Sequence, residues 1–266
     1  MYYLDLYWEF VKIRIKTMVE YRGETILTGI FQIIGYLSRF AVLWIMVLRF
    51  DQIGQWNAYE TMLLYSINLI GYSLANVFLY RTCGNLEDLI RTGDFDGILT
   101  KPTNPFLYLC CSGFMYGYWA HISLCAGLIA FCFHKLEIVF TLSKILFLLI
   151  TILSSALIQG GLQLITTIPT FWFVKNNSIR QIQRGAEEFV RYPISIYHES
   201  VQIILTVIIP YAFISFYPLQ YLLGKNDFLL FHPIIQFLSP AIGVAMAFLS
   251  YRFWLFGLKH YNSSGS

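Results

Sequence analysis

Five long stretches of this chain contain no Asp, Glu, Lys or Arg, and a sixth contains a single arginine. The charge-free stretches cover residues 61–80, 102–133, 145–174, 200–224 and 228–251, and the sixth runs from 25 to 48 around Arg39. Because a helical residue adds about 1.5 Å, about 20 of them cross a hydrocarbon core of about 30 Å. Strands of a membrane barrel would be about 10 residues long and strictly alternating, a pattern that these stretches lack. We therefore predict an all-α, polytopic membrane protein with six transmembrane helices, spanning about residues 25–48, 59–80, 105–133, 145–174, 200–220 and 229–256.

The composition excludes two other classes of chain. Charged residues make up 12% of the 266 residues and hydrophobic ones 57%, whereas a soluble domain carries about 25% charged residues. Disordered chains are poor in apolar residues and rich in charge, which is the reverse of this pattern. The five cysteines form no CxxC pair and lie mostly in or beside the apolar stretches. We therefore expect buried thiols rather than disulfides or a metal site.

Lysines and arginines are distributed unevenly between the two ends of the predicted spans. Thirteen of the 18 fall in the N-terminal segment, in the connections after the second and fourth spans, or near the C-terminus, where Arg252 precedes and Lys259 begins the predicted cytoplasmic tail, residues 259–266. Four fall in the other connections. Because positive charges concentrate on the cytoplasmic side of membrane proteins, we expect a plasma-membrane protein with both termini in the cytoplasm. The net charge of +3 then reflects topology, and no clustered basic face indicates a nucleic-acid partner.

Residues 1–24 carry a helical pattern before the first span. Their apolar side chains recur every three or four positions, at Leu4, Trp8, Val11, Ile15 and Met18. Charged residues follow the neighbouring stripe. This pattern predicts an amphipathic helix that lies along the cytoplasmic surface of the bilayer. The alternative is that the apolar stripe packs against the protein's own helices.

The connection between the second and third spans, residues 84–104, contains two helix signals. Asn85 can cap a first short helix that Gly93 ends, and Asp94 opens a second element that Pro102 closes. The first helix would place Leu and Ile side chains on one face and charged side chains on the other. Because a simple linker needs no such faces, we predict that this connection is a cytoplasmic docking surface.

Two other connections carry information. Residues 175–191 contain charged side chains at near-helical spacing: Arg180, Arg184, Glu187, Glu188 and Arg191. This spacing predicts either a solvated helical extension with i,i+4 charge pairs or a second contact for a cytoplasmic partner. Residues 211–232 mix prolines, Gly224 and aromatic residues, a pattern that can produce short half-helices dipping into the outer leaflet.

Two ionisable side chains fall inside the predicted spans, and their position makes them candidates for function. Arg39 lies near the outer end of its span, where it can reach the lipid head groups or contact a substrate or another subunit. His121 lies near mid-span, where it can carry protons or bond a neighbouring helix. Because the chain contains neither an HExxH nor a GxSxG motif, we expect that it is not an enzyme.

Residues 91–105 read Arg-Thr-Gly-Asp-Phe-Asp-Gly-Ile-Leu-Thr-Lys-Pro-Thr-Asn-Pro. This segment resembles the one that follows the second span in the type-two membrane subunits of ATP-binding-cassette (ABC) transporters, in the branch that pairs two related permeases with one ATPase. The Tyr21–Arg22 pair before the first span, the six spans and the Gly257-Leu258-Lys259 ending also resemble this branch. The resemblance extends over essentially the whole chain, and residues 91–105 are its specific part.

The resemblance implies a half-transporter. Two six-helix permeases pair to form the pathway, and each rests on a cytoplasmic nucleotide-binding subunit through a coupling helix after the second span. In this sequence the coupling role falls on Glu87, Asp88, Arg91, Gly93, Asp94, Phe95, Asp96, Leu99, Lys101 and Pro102. Because the chain contains no GxxxxGK(S/T) phosphate loop, we expect ATP and Mg²⁺ on the partner ATPase and no cofactor on this chain.

The leading hypothesis is the permease half of an ATP-driven exporter in the plasma membrane of a bacterium, moving an amphiphilic, peptide or drug-like substrate outward. One rival is an ATP-independent secondary transporter or channel that uses Arg39 and His121. It predicts repeats between the two halves of the chain, which the sequence does not display. Another rival is a membrane enzyme centred on His121.

Overall fold

The computed structural model describes residues 2–50, 52–115, 117–139, 141–173 and 176–262. Its helices are, in chain order, α1 (Tyr2–Glu20), α2 (Arg22–Phe50), α3 (Ala58–Thr92), α4 (Asp94–Leu99), α5 (Pro105–Ser112), α6 (Tyr118–Lys135), α7 (Leu142–Thr167), α8 (Asn177–Phe189), α9 (Glu199–Ile203), α10 (Phe216–Leu223) and α11 (Ser239–Lys259). A two-stranded antiparallel hairpin, β1 (Gln52–Ile53) and β2 (Trp56–Asn57), joins α2 to α3. We call the end of the bundle that carries this hairpin the hairpin end, and the end that carries the turn from α3 to α4 the corner end.

Several of these helices are long and apolar. Among the described residues, α3, α11 and the run from α7 to Phe171 are long and apolar enough to cross a bilayer. The segments Glu199–Ile208 and Tyr211–Leu223 together are also apolar enough, but they are bent by 79° to each other. The predicted all-α, polytopic membrane fold is confirmed.

The α3 helix is the centre of the bundle and packs against both α6 and α7. Polar side chains join these helices: Gln159 Nε2 donates to the Asn68 carbonyl oxygen (2.9 Å), and Gln163 Nε2 donates to Asn76 Oδ1 (3.2 Å). Such bonds hold helices together where the bilayer supplies no water. The α3 and α7 backbones approach closely at Gly71, where an added methyl group would stand 2.0 Å from Ser155 Oγ.

The predicted third span, residues 105–133, is broken into α5 and α6. Gly113 ends α5, with its N–H donating to the Leu109 carbonyl oxygen (2.8 Å). The Met115 N–H then leaves the helical pattern and donates to the Val77 carbonyl oxygen on α3 (2.9 Å). This bond compensates for the interrupted helix, because buried backbone donors must find partners. The sixth span also differs from its prediction: α11 begins at Ser239, ten residues after the predicted start at residue 229.

The predicted fifth span, residues 200–220, does not cross the bundle but forms a re-entrant pair. Both of its ends lie at the hairpin end. Just before α9, Ile196 lies against Gly54, where an added methyl group would stand 3.2 Å from Ile196 Cγ2. Just after α10, Lys225 Nζ donates to the Gln55 carbonyl oxygen (2.6 Å). The chain reverses at Pro210, which lacks a backbone N–H and interrupts the helix. Half-helices therefore form from Glu199 to Leu223, earlier in the chain than the predicted 211–232.

The N-terminal helix α1 packs against the bundle with one face and leaves apolar side chains exposed on another. Tyr7 packs on Phe78 and Phe114, at ring-centroid distances of 6.0 and 5.8 Å, and Val11 is buried beside them. The exposed apolar side chains of α1 include Trp8, Ile15 and Val19, a stripe that suits the membrane interface. The predicted stripe is thus divided between the bundle and the outside. On the charged face, the Lys12 ammonium 2.6 Å from the Glu9 carboxylate lowers the pKa of Glu9.

Candidate functional site

The turn from α3 to α4 is built from one continuous helix and a glycine. α3 runs without interruption to Thr92, so the separate short helix predicted after Asn85 does not form. Leu86 and Ile90 are buried on the inner face, and this burial keeps the helix in register. Gly93 ends α3 with a φ of 79°, and its N–H donates to the Ile90 carbonyl oxygen. Because glycine lacks Cβ, it adopts this left-handed conformation without a steric penalty. Gly93 therefore ends the helix as predicted, and Asp94 starts α4.

We call residues 87–102 the α3–α4 corner, and Phe95 anchors it to the bundle. The Phe95 side chain is 0% exposed and lies between Phe171 and Tyr261, at ring-centroid distances of 5.6 and 5.1 Å. The Tyr261 hydroxyl also donates to Asp96 Oδ1 (3.0 Å). The resemblance gives Phe95 a coupling role, and these contacts place its side chain in the core. Phe95 is a core residue that positions α4, and the Asp96 carboxylate is bonded to the end of the chain.

Most of the other predicted coupling residues are exposed on the outer side of the corner: Asp88, Arg91, Asp94, Leu99, Lys101 and Pro102. The Arg91 guanidinium lies 2.9 Å from Asp88 Oδ1, and Thr92 Oγ1 donates to Asp94 Oδ2 (2.7 Å). Lys101 Nζ donates to the Tyr108 hydroxyl. Exposed ion pairs contribute at most about 1 kcal/mol, so these charges can exchange their internal partners for those of another protein.

Glu87 is half-buried, and its carboxylate accepts a hydrogen bond from the start of another segment. The Asn176 N–H donates to Glu87 Oε2 (3.4 Å). Farther along, Asn68 Nδ2 donates to the Val190 carbonyl oxygen (3.2 Å), and Ile196 lies against Gly54 in the hairpin. Along α3, Glu87 and Asn68 are separated by about 28 Å, at about 1.5 Å per residue. The chain from residue 176 to 196 therefore passes from the corner end of the bundle to the hairpin end.

This path corrects the prediction for residues 175–191. The segment was expected to be a cytoplasmic connection, either solvated or in contact with a partner. It is helical as its spacing predicted, but α8 packs against α7, and the residues that flank it bond to α3 at Glu87 and Asn68. Thr166 Oγ1 of α7 also donates to Gln183 Oε1 (3.0 Å). The fifth passage through the bundle is thus made by a charged helix rather than by residues 200–220.

A polar cavity lies between α8, α3 and α6. It consists of two adjoining parts of about 360 and 430 Å³, whose walls share Tyr72, Tyr80, Arg184 and Glu187. The other lining residues are Tyr65, Asn68, Leu69, Gly84, Asn85, Tyr118, His121, Gln163, Arg180, Gln183, Glu188 and Arg191. We call this space the α8 cavity. It follows α3 from Asn85 to Tyr65, so it extends over much of the depth of the bundle.

The charged side chains in the walls of the α8 cavity all come from the segment 180–191. Arg191 forms an ion pair with Glu188. Within the described ranges, no carboxylate lies within ion-pair distance of the Arg184 guanidinium, although Arg184 lines both parts of the cavity. Charged side chains at membrane depth are costly in lipid and occur where they face a water-filled space or a ligand. The α8 cavity is therefore an open polar compartment between these helices.

Of the two ionisable residues predicted inside spans, His121 lines the α8 cavity. It is 3% exposed, and its ring meets Tyr118 edge-on at 5.2 Å. Arg39 belongs to α2, but its side chain lies outside the described residues. In the part of the chain that the structure describes, no three His, Cys, Asp or Glu side chains are grouped to hold a metal ion.

Hydropathy missed α8 as a membrane passage because five charged residues fall between 180 and 191. The sequence contained one signal for this passage. The arginines and glutamates share a stripe with i,i+3 and i,i+4 spacing, while Ile179, Ile182 and Phe189 lie on the opposite face. Such a two-sided helix suits the boundary between a polar interior and an apolar surrounding.

Comparison with known proteins gives one match. Residues 9–265 match the sequence model of a family described as ABC-2 family transporter protein. No curated protein and no solved structure matches the chain. Both the α3–α4 corner and the α8 cavity lie within the matched residues.

Proposed function

The chain belongs to the ABC-2 transporter family and is a membrane permease component of an ABC transporter, and we propose that it is one permease half of an ATP-driven exporter. In this proposal the chain pairs with a second permease, and partner ATPase subunits bind ATP and Mg²⁺. The assembled complex moves an amphiphilic, peptide or drug-like substrate outward across the plasma membrane of a bacterium.

The α3–α4 corner is the observation that carries this proposal. A device that transmits force needs one side fixed to the moving part and another side available to the motor. Phe95 fixes α4 to the bundle, whereas the Asp94 and Leu99 side chains remain exposed. α3 is a single helix of 35 residues. A displacement of α4 therefore moves α3 as a rigid body. Tyr72 and Tyr80 of α3 line the α8 cavity, so this movement changes the shape of the cavity.

The chemistry of the corner indicates which kind of ATPase surface would bind it. Asp88 and Asp94 are exposed carboxylates, and Leu99 is an exposed apolar side chain between them and Lys101. A groove with basic side chains at its rim and an apolar floor complements this surface. Charge complementarity would set the orientation of the subunits, while burial of Leu99 would contribute affinity.

The orientation of the bundle follows from the same assignment. The corner end faces the cytoplasm with the ATPase, and the hairpin end faces outward with the re-entrant pair α9–α10. Both termini then lie in the cytoplasm. Even when Arg180, Arg184 and Arg191 are assigned to the interior, the remaining lysines and arginines are more numerous at the corner end, in agreement with the positive-inside rule.

Purification from the native operon tests the proposal. A tagged permease should retain an ATPase subunit and a second permease, and the complex should hydrolyse ATP. Leu99→Ser should weaken ATPase retention by about tenfold, which corresponds to about 1.4 kcal/mol of binding free energy.

Leu230→Ser is the matched control, because Leu230 is likewise an exposed leucine (59%) but lies after α10, at the hairpin end. It should leave ATPase retention unchanged. A complex that contains no ATPase, or a permease that transports alone under a proton gradient, would overturn the proposal in favour of a secondary transporter.

A further inference from the structure

The charges of the α8 cavity do not balance. Glu188 is committed to Arg191 by their ion pair. Arg180 and Arg184 then face the cavity with Glu187 as the one other carboxylate among the lining residues. The remaining lining residues are His121 and uncharged residues, four of them tyrosines. Three arginines against two glutamates give the compartment an excess of positive charge, which attracts anions.

We propose that the α8 cavity binds the anionic head group of an amphiphile, and that this amphiphile is the transported substrate. This inference rests on the proposed function, because the ligand is a transported substrate only if the chain is an exporter. Its central contact is the Arg184 guanidinium, which lines both parts of the cavity and lies beyond ion-pair distance of every described carboxylate.

The residue types suit phosphate or carboxylate. A guanidinium presents a planar fork of N–H donors that binds two oxygens of either group at once. Arg180 and Arg184 are four positions apart on one helix, so their side chains project to the same side of α8. The walls also contain Tyr72 and Tyr80, whose hydroxyls can donate to further oxygens of the head group. An anion here gains two cationic neighbours.

The size of the cavity selects a head group rather than a whole lipid. Its parts of about 360 and 430 Å³ each hold roughly a dozen water molecules, at about 30 Å³ per molecule. That volume accommodates a phosphate ester or a small polar group, whereas a long acyl chain would need more room and an apolar wall.

An apolar surface for the chain lies on the opposite face of α8. Ile182 is 71% exposed, and Ile179 and Phe189 are exposed on the same side. At about 100° per residue this face lies opposite the charged stripe, so an amphiphile with its head group in the cavity would extend its chain past the edge of α8 toward Ile182 and Phe189. The two-sided character of α8 thus matches the two-sided character of the molecule that it would bind.

Direct binding to the purified complex, without nucleotide, tests this inference. Dodecyl phosphate and dodecanoate are titrated against the complex in a neutral detergent and compared with dodecyltrimethylammonium. We expect saturable binding of both anions and at least about tenfold weaker binding of the cation. Arg184→Gln should weaken dodecyl phosphate binding by about tenfold or more, which is about 1.4 kcal/mol. Arg184→Lys should recover part of the loss, since it restores the charge without the fork.

Arg252→Gln is the matched control. Arg252 is an exposed arginine on α11, its guanidinium lies over the Phe248 ring at 6.0 Å, and it does not line the cavity. Its substitution should leave dodecyl phosphate binding unchanged. If Arg184→Gln and Arg252→Gln bind dodecyl phosphate like the unmodified complex, or if the cation binds as tightly as the anions, the inference is overturned.

Glycerol phosphate separates an amphiphile from a free phosphate ester. It carries the same head-group chemistry but has no chain, so its binding should be at least about tenfold weaker than that of dodecyl phosphate. Equal affinity would contradict an amphiphilic ligand and assign the cavity to a soluble ester. Because binding is measured without nucleotide, its failure is distinguishable from failure of the proposed function, which would instead appear as absence of the ATPase from the complex.

Discussion

The Tyr261 hydroxyl donates a hydrogen bond of 3.0 Å to the Asp96 carboxylate, which is 165 residues earlier in the chain. The Tyr261 ring also meets Phe95 edge-on at 5.1 Å. Since Tyr261 lies two residues after the end of α11, these contacts fasten α4 to the last helix as well as to α3. A displacement of the corner would therefore reach α7 through α11, which packs along it.

Removal of the Tyr261 hydroxyl tests this second connection. Tyr261→Phe keeps the ring against Phe95 but deletes the bond to Asp96, and hydrogen bonds to charged groups contribute about 1.5–3 kcal/mol, with the lower end expected at a half-buried site. We expect a lower melting temperature and weaker stimulation of ATP hydrolysis by substrate. Tyr217→Phe is the control, because it deletes a 3.0 Å contact with Thr206 among residues of the re-entrant pair. It should lower stability but leave the stimulation intact. Equal stimulation in the two variants would refute the connection.

The conformation of Gly93 predicts a sharp contrast between two glycines. Gly93→Ala places a Cβ on a residue with φ of 79°, which costs about 1–2 kcal/mol. Gly97→Ala adds a Cβ in α4 with no atom within 4 Å, and alanine favours a helix by up to about 1 kcal/mol over glycine. Thermal unfolding of the detergent-solubilised protein should show destabilisation for Gly93→Ala and none for Gly97→Ala. Gly93→Asn should fall between Gly93→Ala and the unmodified protein, since asparagine tolerates the left-handed region. Equal midpoints for the two alanine variants would contradict the assigned turn.

Close packing of α3 on α7 predicts an intolerant site at Gly71. An alanine Cβ there would stand 2.0 Å from Ser155 Oγ, and Ser155 is itself bonded to Gln159 (3.1 Å). Forcing these helices apart should cost about 1–3 kcal/mol. Gly127→Ala in α6, where nothing lies within 4 Å of the added methyl group, serves as the comparison and should be neutral. Thermal unfolding midpoints of both variants measure the difference, and tolerance of alanine at Gly71 would mean that the helices do not approach as described.

The re-entrant pair predicts which residues a membrane-impermeant thiol reagent reaches in intact cells. In a variant without the five native cysteines, Ser200→Cys and Asn226→Cys should both react from outside, because both residues are exposed and flank the pair at the hairpin end. Thr100→Cys, exposed just after α4, should react only after the cells are opened. Labelling of Asn226→Cys but not of Ser200→Cys would restore residues 200–220 as a crossing helix.

The α3–α4 corner was largely predictable because its signals are local. A glycine that ends a helix, an aspartate that starts the next and a hydrophobic face at helical spacing each act within a few residues. The prediction failed at Asn85 because capping potential competes with burial. Leu86 and Ile90 are buried against the bundle, so the helix continues through a residue that could have begun a new one. The burial of Phe95 was not predictable, since the sequence does not reveal that Tyr261 and Phe171 cover that side chain.

The sequence by itself determined that this chain is a helical membrane protein, because runs of 20 or more uncharged residues have no other stable environment. It also determined where α3 and α4 separate. Only the tertiary structure decided which segments pass through the bundle. Hydropathy reports the average environment of a residue, and it treats every charge as facing water outside the membrane. In this fold the arginines and glutamates of α8 face an internal polar cavity, while the apolar residues 200–220 turn back at Pro210. The paths of α8 and of residues 200–220 both depend on contacts with α3, α7 and the hairpin, which are distant in the chain.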